Sequence, residues 1–359
     1  MDVFSLLRTG HSRRASDLHL VVGTPATFRI DGSLEAADGA GPLTHEDISE
    51  AFLQLTTPEE REEFHRHLEL DFAYTLPGVG RLRCNAAQQR GSISLAVRLL
   101  PPRIPTIDEL ELPEICKELA VRPRGLLVVT GPTGSGKTTT MAAMIQHLNT
   151  YETRHVVTVE DPIEYVYTGM RCAVTQRQLG SDTLSFANAL KHILRQDPDV
   201  ILVGEMRDPD TADAVLTIAE TGHFIVTTGH APSASQAMER VIDLFPPHQR
   251  HLAQSRLASL LIGVLCQTLV PRADGSGRIA AVEIMLGNPP VKALIREGKI
   301  YQLPNVIRTH RDIGMITMDE SLVELYLKGI ITGQSVLEFC NDQKEVEKMI
   351  GKVPIRATR

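Results

Sequence analysis

The chain has 359 residues, of which 42% are hydrophobic and 23% are charged, and its formal net charge is −7. This length allows two or three domains, and the composition is that of an ordinary soluble globular protein. The acidic balance and the lack of a basic block argue against a nucleic-acid-binding surface, so nucleic acid is not an expected partner. The five cysteines are scattered without a C-x-x-C pair, which argues against structural zinc and favours a reducing, cytosolic setting.

The first hundred residues predict a mixed α+β domain. Alternating apolar residues predict strands over residues 17–22, 26–30, 70–76, 80–86 and 92–99. Asp31-Gly32 predicts a hairpin turn after the second of these strands. Thr44 and Thr57 are predicted N-caps, each followed by a helix.

Pro101, Pro102 and Pro105 form a stiff, extended segment that we interpret as a domain boundary. After it, strands alternate with helices in the pattern of an α/β domain. The predicted strands cover residues 125–130, 155–159, 200–203, 224–227 and 279–285. The predicted helices cover residues 138–148, 185–194, 211–220 and 234–244, and amphipathic helices follow residue 290. The longest apolar run, residues 257–270, is too short to span a bilayer and is predicted to be a buried helix.

The stretch from Gly131 to Thr138, GPTGSGKT, fits the phosphate-loop pattern G-x-x-x-x-G-K-[ST] in full. It lies between a predicted strand and a predicted helix, so its backbone N–H groups and the helix N-terminus can point at phosphate oxygens. The residues predicted to bind the nucleotide are Thr133, Gly134, Ser135, Gly136, Lys137, Thr138 and Thr139. Lys137 would reach the phosphates, and the Thr138 hydroxyl would hold Mg²⁺.

Acidic residues follow two of the predicted strands. The apolar strand at residues 200–203 ends in Gly204-Glu205, so that glycine stands where such strands usually carry aspartate. Glu205 is then the carboxylate that orients water, directly or through Mg²⁺; the alternative is a solvated acid at a strand end. Gly204 has no side chain that could bind a metal, but Glu160 and Glu164 can supply a ligand, because carboxylates suit Mg²⁺. The alternative is that residues 160–164 form a polar loop without a role in metal binding.

Histidine and arginine are the candidates for contact with the charge of a phosphoryl-transfer transition state. His230 follows the predicted strand at residues 224–227 and could contact the γ-phosphate as a sensor, although a lone histidine is more often structural. In the first domain, Arg81 and Arg83 alternate along one strand and share a face, and Arg98 lies on the next strand. By themselves these arginines are better interpreted as a solvated strand face.

The order of these motifs resembles the secretion-superfamily ATPases, which carry a phosphate loop, an acidic box, an atypical Walker B strand and a histidine box. The corresponding stretches are VEDPIEY at residues 159–165, RQDPDVILVGEMRD at residues 195–208 and the segment that ends at His230. Within that superfamily the chain resembles the PilT branch, the type IV pilus retraction ATPases of twitching motility. LIREGK at residues 294–299 falls where this branch has a retraction-associated segment. The four-cysteine zinc segment of many assembly ATPases is absent, which favours retraction.

The resemblance implies an α/β fold of three parts with a linker between the first two. In chain order, the segments are an N-terminal PAS-like α+β domain (residues 1–100), the linker (101–120), a RecA-like phosphate-loop domain (121–289) and a short helical C-terminus (290–359). It also implies a homohexameric ring that uses ATP and Mg²⁺. The ring would lie at the cytoplasmic face of the inner membrane, docked on a PilC-like platform protein. A paralogous retraction ATPase is a further candidate partner.

Residue by residue, the resemblance implies that Glu205 is the catalytic carboxylate, that Glu160 and Glu164 belong to the acidic box and that His230 belongs to the histidine box. The residues that it implies for Mg²⁺, directly or through water, are Thr138, Glu160, Glu164 and Glu205. The arginines at the positions of the family's arginine fingers are Arg81, Arg83 and Arg98.

The histidine box departs from the family pattern. The usual Thr-Leu-His is Thr228-Gly229-His230 here, and Pro232 follows, so the geometry of a histidine sensor is in question. Several functions therefore stay open. The first is a hexameric ATPase motor for pilus retraction, and the second is an accessory, PilU-like ring subunit with weak hydrolysis. A pilus-assembly or secretion ATPase and a nucleic-acid translocase are the others, and the acidic charge weighs against the translocase.

Overall fold

The computed structural model of the chain describes residues 1–30, 32–39, 41–100 and 103–351. Asp31 of the predicted hairpin turn, and Pro101 and Pro102 of the predicted linker, lie outside the described residues. The chain divides into two compact units. The first unit is formed by Met1–Ile104 with Glu164–Val166, and the second by Pro105–Ile163 with Tyr167–Arg359.

The first unit is built on one antiparallel sheet of six strands. In chain order they are β1 (Asp17–Leu20), β2 (Thr27–Ile30), β3 (Ser33–Ala36), β4 (Glu69–Leu76), β5 (Gly80–Gln89) and β6 (Ser92–Leu99). Their spatial order is β3-β2-β1-β6-β5-β4, so β1 and β6 form the centre of the sheet. The helices of this unit are α1 (Val3–Ser12), α2 (His45–Leu55) and α3 (Pro58–His67).

Local sequence signals account for most elements of the first unit. Thr44 caps α2 and Thr57 caps α3, as predicted, and each forms a complete capping box, Thr44 with Asp47 and Thr57 with Glu60. Each of the predicted strands is confirmed, with ends that shift by up to three residues. Helix α1 and strand β3 are not among the predicted elements, although α1 begins at a clear N-cap, Asp2.

The second unit is built on a seven-stranded sheet. In chain order the strands are β7 (Gly125–Thr130), β8 (His155–Glu160), β9 (Ala173–Gln178), β10 (Val200–Val203), β11 (Phe224–Thr228), β12 (Leu261–Pro271) and β13 (Arg278–Leu286). Their spatial order is β13-β12-β7-β11-β10-β8-β9. Only β12 and β13 pair antiparallel; the other neighbours run parallel. Parallel strands are covered on both faces, which explains why every residue of β7, β10 and β11 is buried.

The helices of the second unit cover the sheet and extend beyond it. They are α4 (Ile115–Ala120), α5 (Lys137–Tyr151), α6 (Phe186–Ile193), α7 (Pro209–Glu220), α8 (Ala234–Asp243), α9 (Arg250–Leu260), α10 (Pro289–Arg296), α11 (Leu303–Thr309), α12 (Met318–Leu327), α13 (Gly333–Phe339) and α14 (Gln343–Ile350). One apolar core joins helices α6 to α11 to the parallel strands. A smaller core joins β12 and β13 to helices α12 to α14.

The prediction of a buried helix over residues 257–270 is wrong. Helix α9 ends at Leu260, and the rest of the run is strand β12, which pairs with β7 on one side and with β13 on the other. A strand whose two faces are both covered is almost continuously apolar, so its sequence lacks the alternation that distinguishes a strand from a buried helix. No helix in the described ranges combines the length and the apolar character that a membrane span requires.

The topology brings four chain segments to one edge of the sheet. Strands β7, β8, β10 and β11 are parallel, so their carboxyl ends lie side by side. The phosphate loop follows β7, Glu160 ends β8, Glu205 follows β10 and His230 follows β11. Ligands of open α/β sheets bind at this edge, so the candidate site lies where the fold class predicts it.

Candidate active site

The phosphate loop connects β7 to α5 directly over strand β12. Gly131 has a φ of +143°, and a Cβ atom there would lie 2.2 Å from the carbonyl oxygen of Gln267. Gly136, the N-cap of α5, has a φ of +87°, and a Cβ atom there would lie 2.8 Å from Gln267 Nε2. Both glycines of the motif are therefore required by the close packing of the loop on β12 as well as by phosphate recognition.

The Gln267 side chain holds the underside of the phosphate loop. It is 2% exposed, and its Nε2 donates to the carbonyl oxygen of Ser135 at 2.7 Å. Its Oε1 accepts from the Thr140 hydroxyl at 2.7 Å, so one amide joins the loop to the first turn of α5. A buried carbonyl without a partner is costly, and this contact supplies the partner for a loop that has little regular structure.

Lys137 is buried with its ammonium group against its own loop. Its Nζ donates to the carbonyl oxygens of Gly131 at 2.8 Å and of Pro132 at 2.9 Å. Burial lowers the pKa of Lys137, and the negative charge of Glu205 opposes that shift. The charges of Lys137 and Glu205 therefore interact, although Lys137 follows β7 and Glu205 follows β10 in the sheet.

Glu205 lies between two cationic or potentially cationic groups. Its Oε1 lies 3.3 Å from His230 Nε2, and its Oε2 lies 2.7 Å from an Arg207 guanidinium nitrogen. The Glu205 side chain is 18% exposed, whereas that of Arg207 is 72% exposed. The structure therefore brings together Glu205 and His230, which the sequence predicted from separate motifs, and it adds Arg207 to them.

Glu160 is a buried carboxylate held by two donors. The Thr158 hydroxyl donates to Glu160 Oε1 at 2.6 Å, and Gln176 Nε2 donates to the same oxygen at 3.1 Å. Gly204, the residue after β10, lies beside it: a Cβ atom on Gly204 would lie 3.3 Å from the Val159 carbonyl oxygen and 3.4 Å from Glu160 Cα. A side chain at position 204 would be crowded there, which accounts for glycine at this position.

A cavity of about 300 Å³ opens beside Glu205 and His230, between the ends of the strands and helix α8. Val128, Val241 and Leu244 contribute to its apolar wall. Arg207 and Arg240 contribute charge, and Arg240 also donates to the His230 carbonyl oxygen at 2.7 Å. The His230 backbone is thereby tied to α8.

The residues implied for Mg²⁺ are only partly brought together within one unit. Thr138 lies in the first turn of α5, Glu160 ends β8, and Glu205 follows the neighbouring strand β10. Glu164 belongs to the short segment Glu164–Val166 that groups with the first unit, and its role stays a prediction. In the described part of the chain, no cluster of three or more His, Cys, Asp or Glu side chains could hold a metal. A hydroxyl and single carboxylates fit a Mg²⁺ ion that takes its other ligands from phosphate and water.

The three predicted arginines lie together on the sheet of the first unit. In β5, burial alternates as predicted, with Leu82 and Cys84 buried and Arg83 exposed. Arg83 lies directly opposite Arg98 on β6, and Arg98 lies opposite Asp17 on β1. Arg98 Nε forms an ion pair with Asp17 Oδ1 at 2.9 Å, so part of the positive charge of this face is neutralised. The role of these arginines in catalysis stays a prediction.

Sequence reasoning did not identify several residues that shape the site. Gln176 belongs to strand β9, which is half-exposed and polar and therefore shows no strand pattern. Gln267 lies in the stretch predicted as a helix. Arg207 belongs to the motif at residues 195–208, but nothing in the sequence indicates that it pairs with Glu205. Such contacts depend on the register of neighbouring strands, which a single sequence does not display.

The comparison with known proteins identifies the family. Residues 94–326 match the family described as type II/IV secretion system protein. The type IV pilus retraction ATPase PilT of Pseudomonas aeruginosa is 42% identical over 338 residues, which cover 94% of this chain and 98% of that protein. The type IV pilus ATPase PilU of the same organism is 39% identical over 350 residues, which cover 98% of this chain and 91% of that protein.

A solved structure agrees in fold over almost the whole length. The crystal structure of the pilus retraction motor PilT with bound ADP has a TM-score of 0.91 and is 38% identical in sequence. The match covers 97% of this chain and 100% of that chain. The sequence motifs, the sheet order and these matches lead to one conclusion: the chain belongs to the type II/IV secretion system protein family and is a PilT-like ATPase.

Proposed function

We propose that the chain is a homohexameric motor that hydrolyses ATP to power type IV pilus retraction, the depolymerisation of pilin that underlies twitching motility. The observation that carries this proposal is the position of Glu205. It lies 3.3 Å from His230 and close enough to influence the pKa of Lys137, in a chain similar to PilT over nearly its whole length. A water-orienting carboxylate, a phosphate-binding lysine and a histidine are thereby available at one place.

The proposed architecture follows the family. The N-terminal unit is a PAS-like domain over residues 1–100, a linker covers 101–120, a RecA-like domain covers 121–289, and the C-terminal helices cover 290–359. The ring works in the cytoplasm at the inner membrane and acts on a PilC-like platform protein, with a paralogous retraction ATPase as a further partner. Similarity to PilT over 97% of the chain supports this arrangement.

The proposed mechanism divides the chemistry among residues of the site. The loop from Thr133 to Thr139 and Lys137 bind the phosphates of ATP, and Glu205 orients the attacking water and accepts its proton. His230 responds to the γ-phosphate through its contact with Glu205. Mg²⁺, when bound, neutralises charge that develops on the transferred phosphoryl group. The residues proposed to hold it, directly or through water, are Thr138, Glu160, Glu164 and Glu205.

Substitution of Glu205 tests the catalytic assignment. For Glu205→Gln we expect kcat for ATP to fall by about 10²- to 10⁴-fold, the usual contribution of a general base, with ADP affinity nearly unchanged. Glu239→Gln, which removes an exposed carboxylate on α8, is the matched control and should keep wild-type turnover. Full activity of Glu205→Gln with normal ATP binding would contradict the assignment.

A second function has specific support. The PilU relative is nearly as similar to this chain as the PilT relative, and it covers slightly more of it. An accessory ring subunit of that kind would bind nucleotide, hydrolyse it weakly and act by contact with a motor. Turnover by the purified protein distinguishes the two: intact rings that bind ADP but hydrolyse ATP negligibly would favour the accessory role.

A further inference from the structure

The last residue before the phosphate loop contacts the backbone of the histidine loop, residues 229–231. Thr130 ends β7 and is fully buried. Its hydroxyl donates to the Ala231 carbonyl oxygen at 2.9 Å and accepts from the Ala231 N–H at 2.8 Å. One side chain thereby satisfies both backbone groups of the residue that follows His230.

The histidine loop is held at further points around this contact. The Gly229 N–H donates to the Val129 carbonyl oxygen at 3.0 Å, so the loop continues the pairing of β11 with β7. Arg240 donates to the His230 carbonyl oxygen at 2.7 Å from the side of α8. The loop is therefore fixed to the strand that carries the phosphate loop and to the helix that lines the cavity. The freedom that glycine adds at position 229 is removed by these contacts.

Gly229 packs against the Thr130 side chain, so the size of the residue at position 229 affects the space available to the Thr130 hydroxyl. A Cβ atom on Gly229 would lie 3.2 Å from the Thr130 hydroxyl oxygen and 3.6 Å from Thr130 Cβ. Gly229 is not among the glycines with positive φ, so its backbone conformation is open to other residues. The glycine therefore provides space for the hydroxyl, and a larger residue would press on the Thr130–Ala231 contact.

We propose that Thr130 is a positioning residue that fixes His230, and through it Glu205, in register with the phosphate loop; this inference rests on the proposed ATPase mechanism. Thr130 acts through the backbone of Ala231. Without the hydroxyl, the Ala231 N–H loses its partner, and the Ala231 carbonyl keeps only a weak contact with Cys266 Sγ at 3.7 Å. Nucleotide binding depends on the phosphate loop, so loss of the contact should affect turnover far more than affinity.

The test compares Thr130→Val, which is nearly isosteric, with Thr130→Ser, which keeps a hydroxyl. Thr227→Val is the matched control, because Thr227 is also fully buried and its hydroxyl has no hydrogen-bond partner among the described residues. Displacement of a catalytic group by a fraction of an ångström to 1 Å lowers rates by up to about 10²-fold. We expect kcat of Thr130→Val to fall between about 10- and 100-fold, with KM for ATP and ADP affinity within about threefold of wild type. Thr130→Ser and Thr227→Val should remain close to wild type.

If Thr130→Val does not fold, Thr130→Ala removes the same hydroxyl and should lower kcat with the same retention of affinity. Hydrogen exchange supplies a readout that does not depend on turnover: the Ala231 amide should be protected in wild type and Thr227→Val and should exchange faster in Thr130→Val. Unchanged kcat with unchanged exchange would overturn the inference, as would equal losses of affinity and turnover. If the wild-type protein shows no ATP turnover but the Ala231 amide exchanges faster in Thr130→Val than in wild type, the proposed function is refuted. The structural role of the Thr130–Ala231 contact is then still supported.

Discussion

Among single residues, Glu160 offers a sharp test of how the metal is held. Its carboxylate is 6% exposed and accepts from Thr158 and Gln176, so both donors orient it. For Glu160→Gln we expect kcat to fall by about 10²-fold or more and the Mg²⁺ concentration for half-maximal ATPase activity to rise, because a charged ligand is lost. A titration of ATPase rate against Mg²⁺ measures both effects.

Asp161 provides the control for this prediction. It is the next residue, it is exposed, and Asp161→Asn removes the same charge from the same segment. Its ATPase rate and Mg²⁺ dependence should match those of wild type. Equal effects of the two substitutions would mean that the local negative charge matters rather than the buried carboxylate, and the assignment of Glu160 would then be wrong.

For individual residues, the sequence motifs predicted the candidate catalytic residues but not the residues whose side chains hold the site in place. Glu160, Glu205 and His230 could be identified because they follow recognisable strands in a recognisable order. Gln267 could not, because its role arises from the parallel pairing of β12 with β7, which brings residues far apart in the chain together. Supporting contacts of this kind have no signature in local sequence.

Among the elements, strand β12 has the most direct effect on nucleotide binding, because Gln267 supports the phosphate loop from below. For Gln267→Met, which keeps the length of the side chain but removes both hydrogen bonds, the Ser135 carbonyl loses its donor. We expect the free energy of unfolding to fall by about 1–3 kcal/mol, the cost of an unsatisfied buried group. We also expect ATP and ADP to bind about tenfold more weakly, since a distortion worth about 1.4 kcal/mol has that effect.

Urea unfolding and fluorescent-nucleotide binding measure these two quantities. Gln236→Met, at an exposed position of α8, is the matched control and should change neither of them. If Gln267→Met loses stability but keeps its nucleotide affinity, Gln267 supports the fold and not the shape of the loop.

Elements with strong local signals were predicted well, and elements defined by their neighbours were not. The capped helices α2 and α3 and the apolar strands β7, β10 and β11 follow from caps and apolar runs. Strand β9 is polar because it lies at the edge of the sheet, and β12 is mostly apolar because it lies inside the sheet and most of its residues are buried. In both strands, position in the sheet removes the alternation that a sequence pattern needs.

For the whole molecule, the role of the arginines of the first unit as arginine fingers is a prediction that substitution can test. Arg83 is exposed, whereas its cross-strand neighbour Arg98 is paired with Asp17. For Arg83→Ala we expect kcat for ATP to fall at least about tenfold with ADP affinity retained, because an arginine finger acts on the transition state. Arg8→Ala, an exposed arginine on α1, should leave turnover unchanged. Wild-type kcat in Arg83→Ala would remove Arg83 from the proposed arginine fingers.

The stability of the whole chain should also depend on pH through Glu283. This residue of β13 is 7% exposed, and its Oε1 accepts from the Ala234 N–H at the start of α8 at 2.6 Å. Burial raises the pKa of Glu283, although hydrogen bonds from the backbone of Ala234 and Met318 oppose the shift. The native state therefore binds a proton more tightly than the unfolded state. The contribution of Glu283 to stability is fully present below its ordinary pKa of 4.5 and is lost as pH rises through the native pKa. Gln at position 283 cannot ionise and keeps an acceptor for Ala234. The unfolding free energy of Glu283→Gln minus that of wild type should therefore increase with pH above about 4.5, by at most about 1.4 kcal/mol per pH unit.

Urea unfolding between pH 5 and about 8 measures this difference, with the exposed Glu239→Gln as a control that should show no trend. A difference that does not change with pH would mean that Glu283 is ionised equally in both states, and that its burial imposes no cost that Gln could relieve.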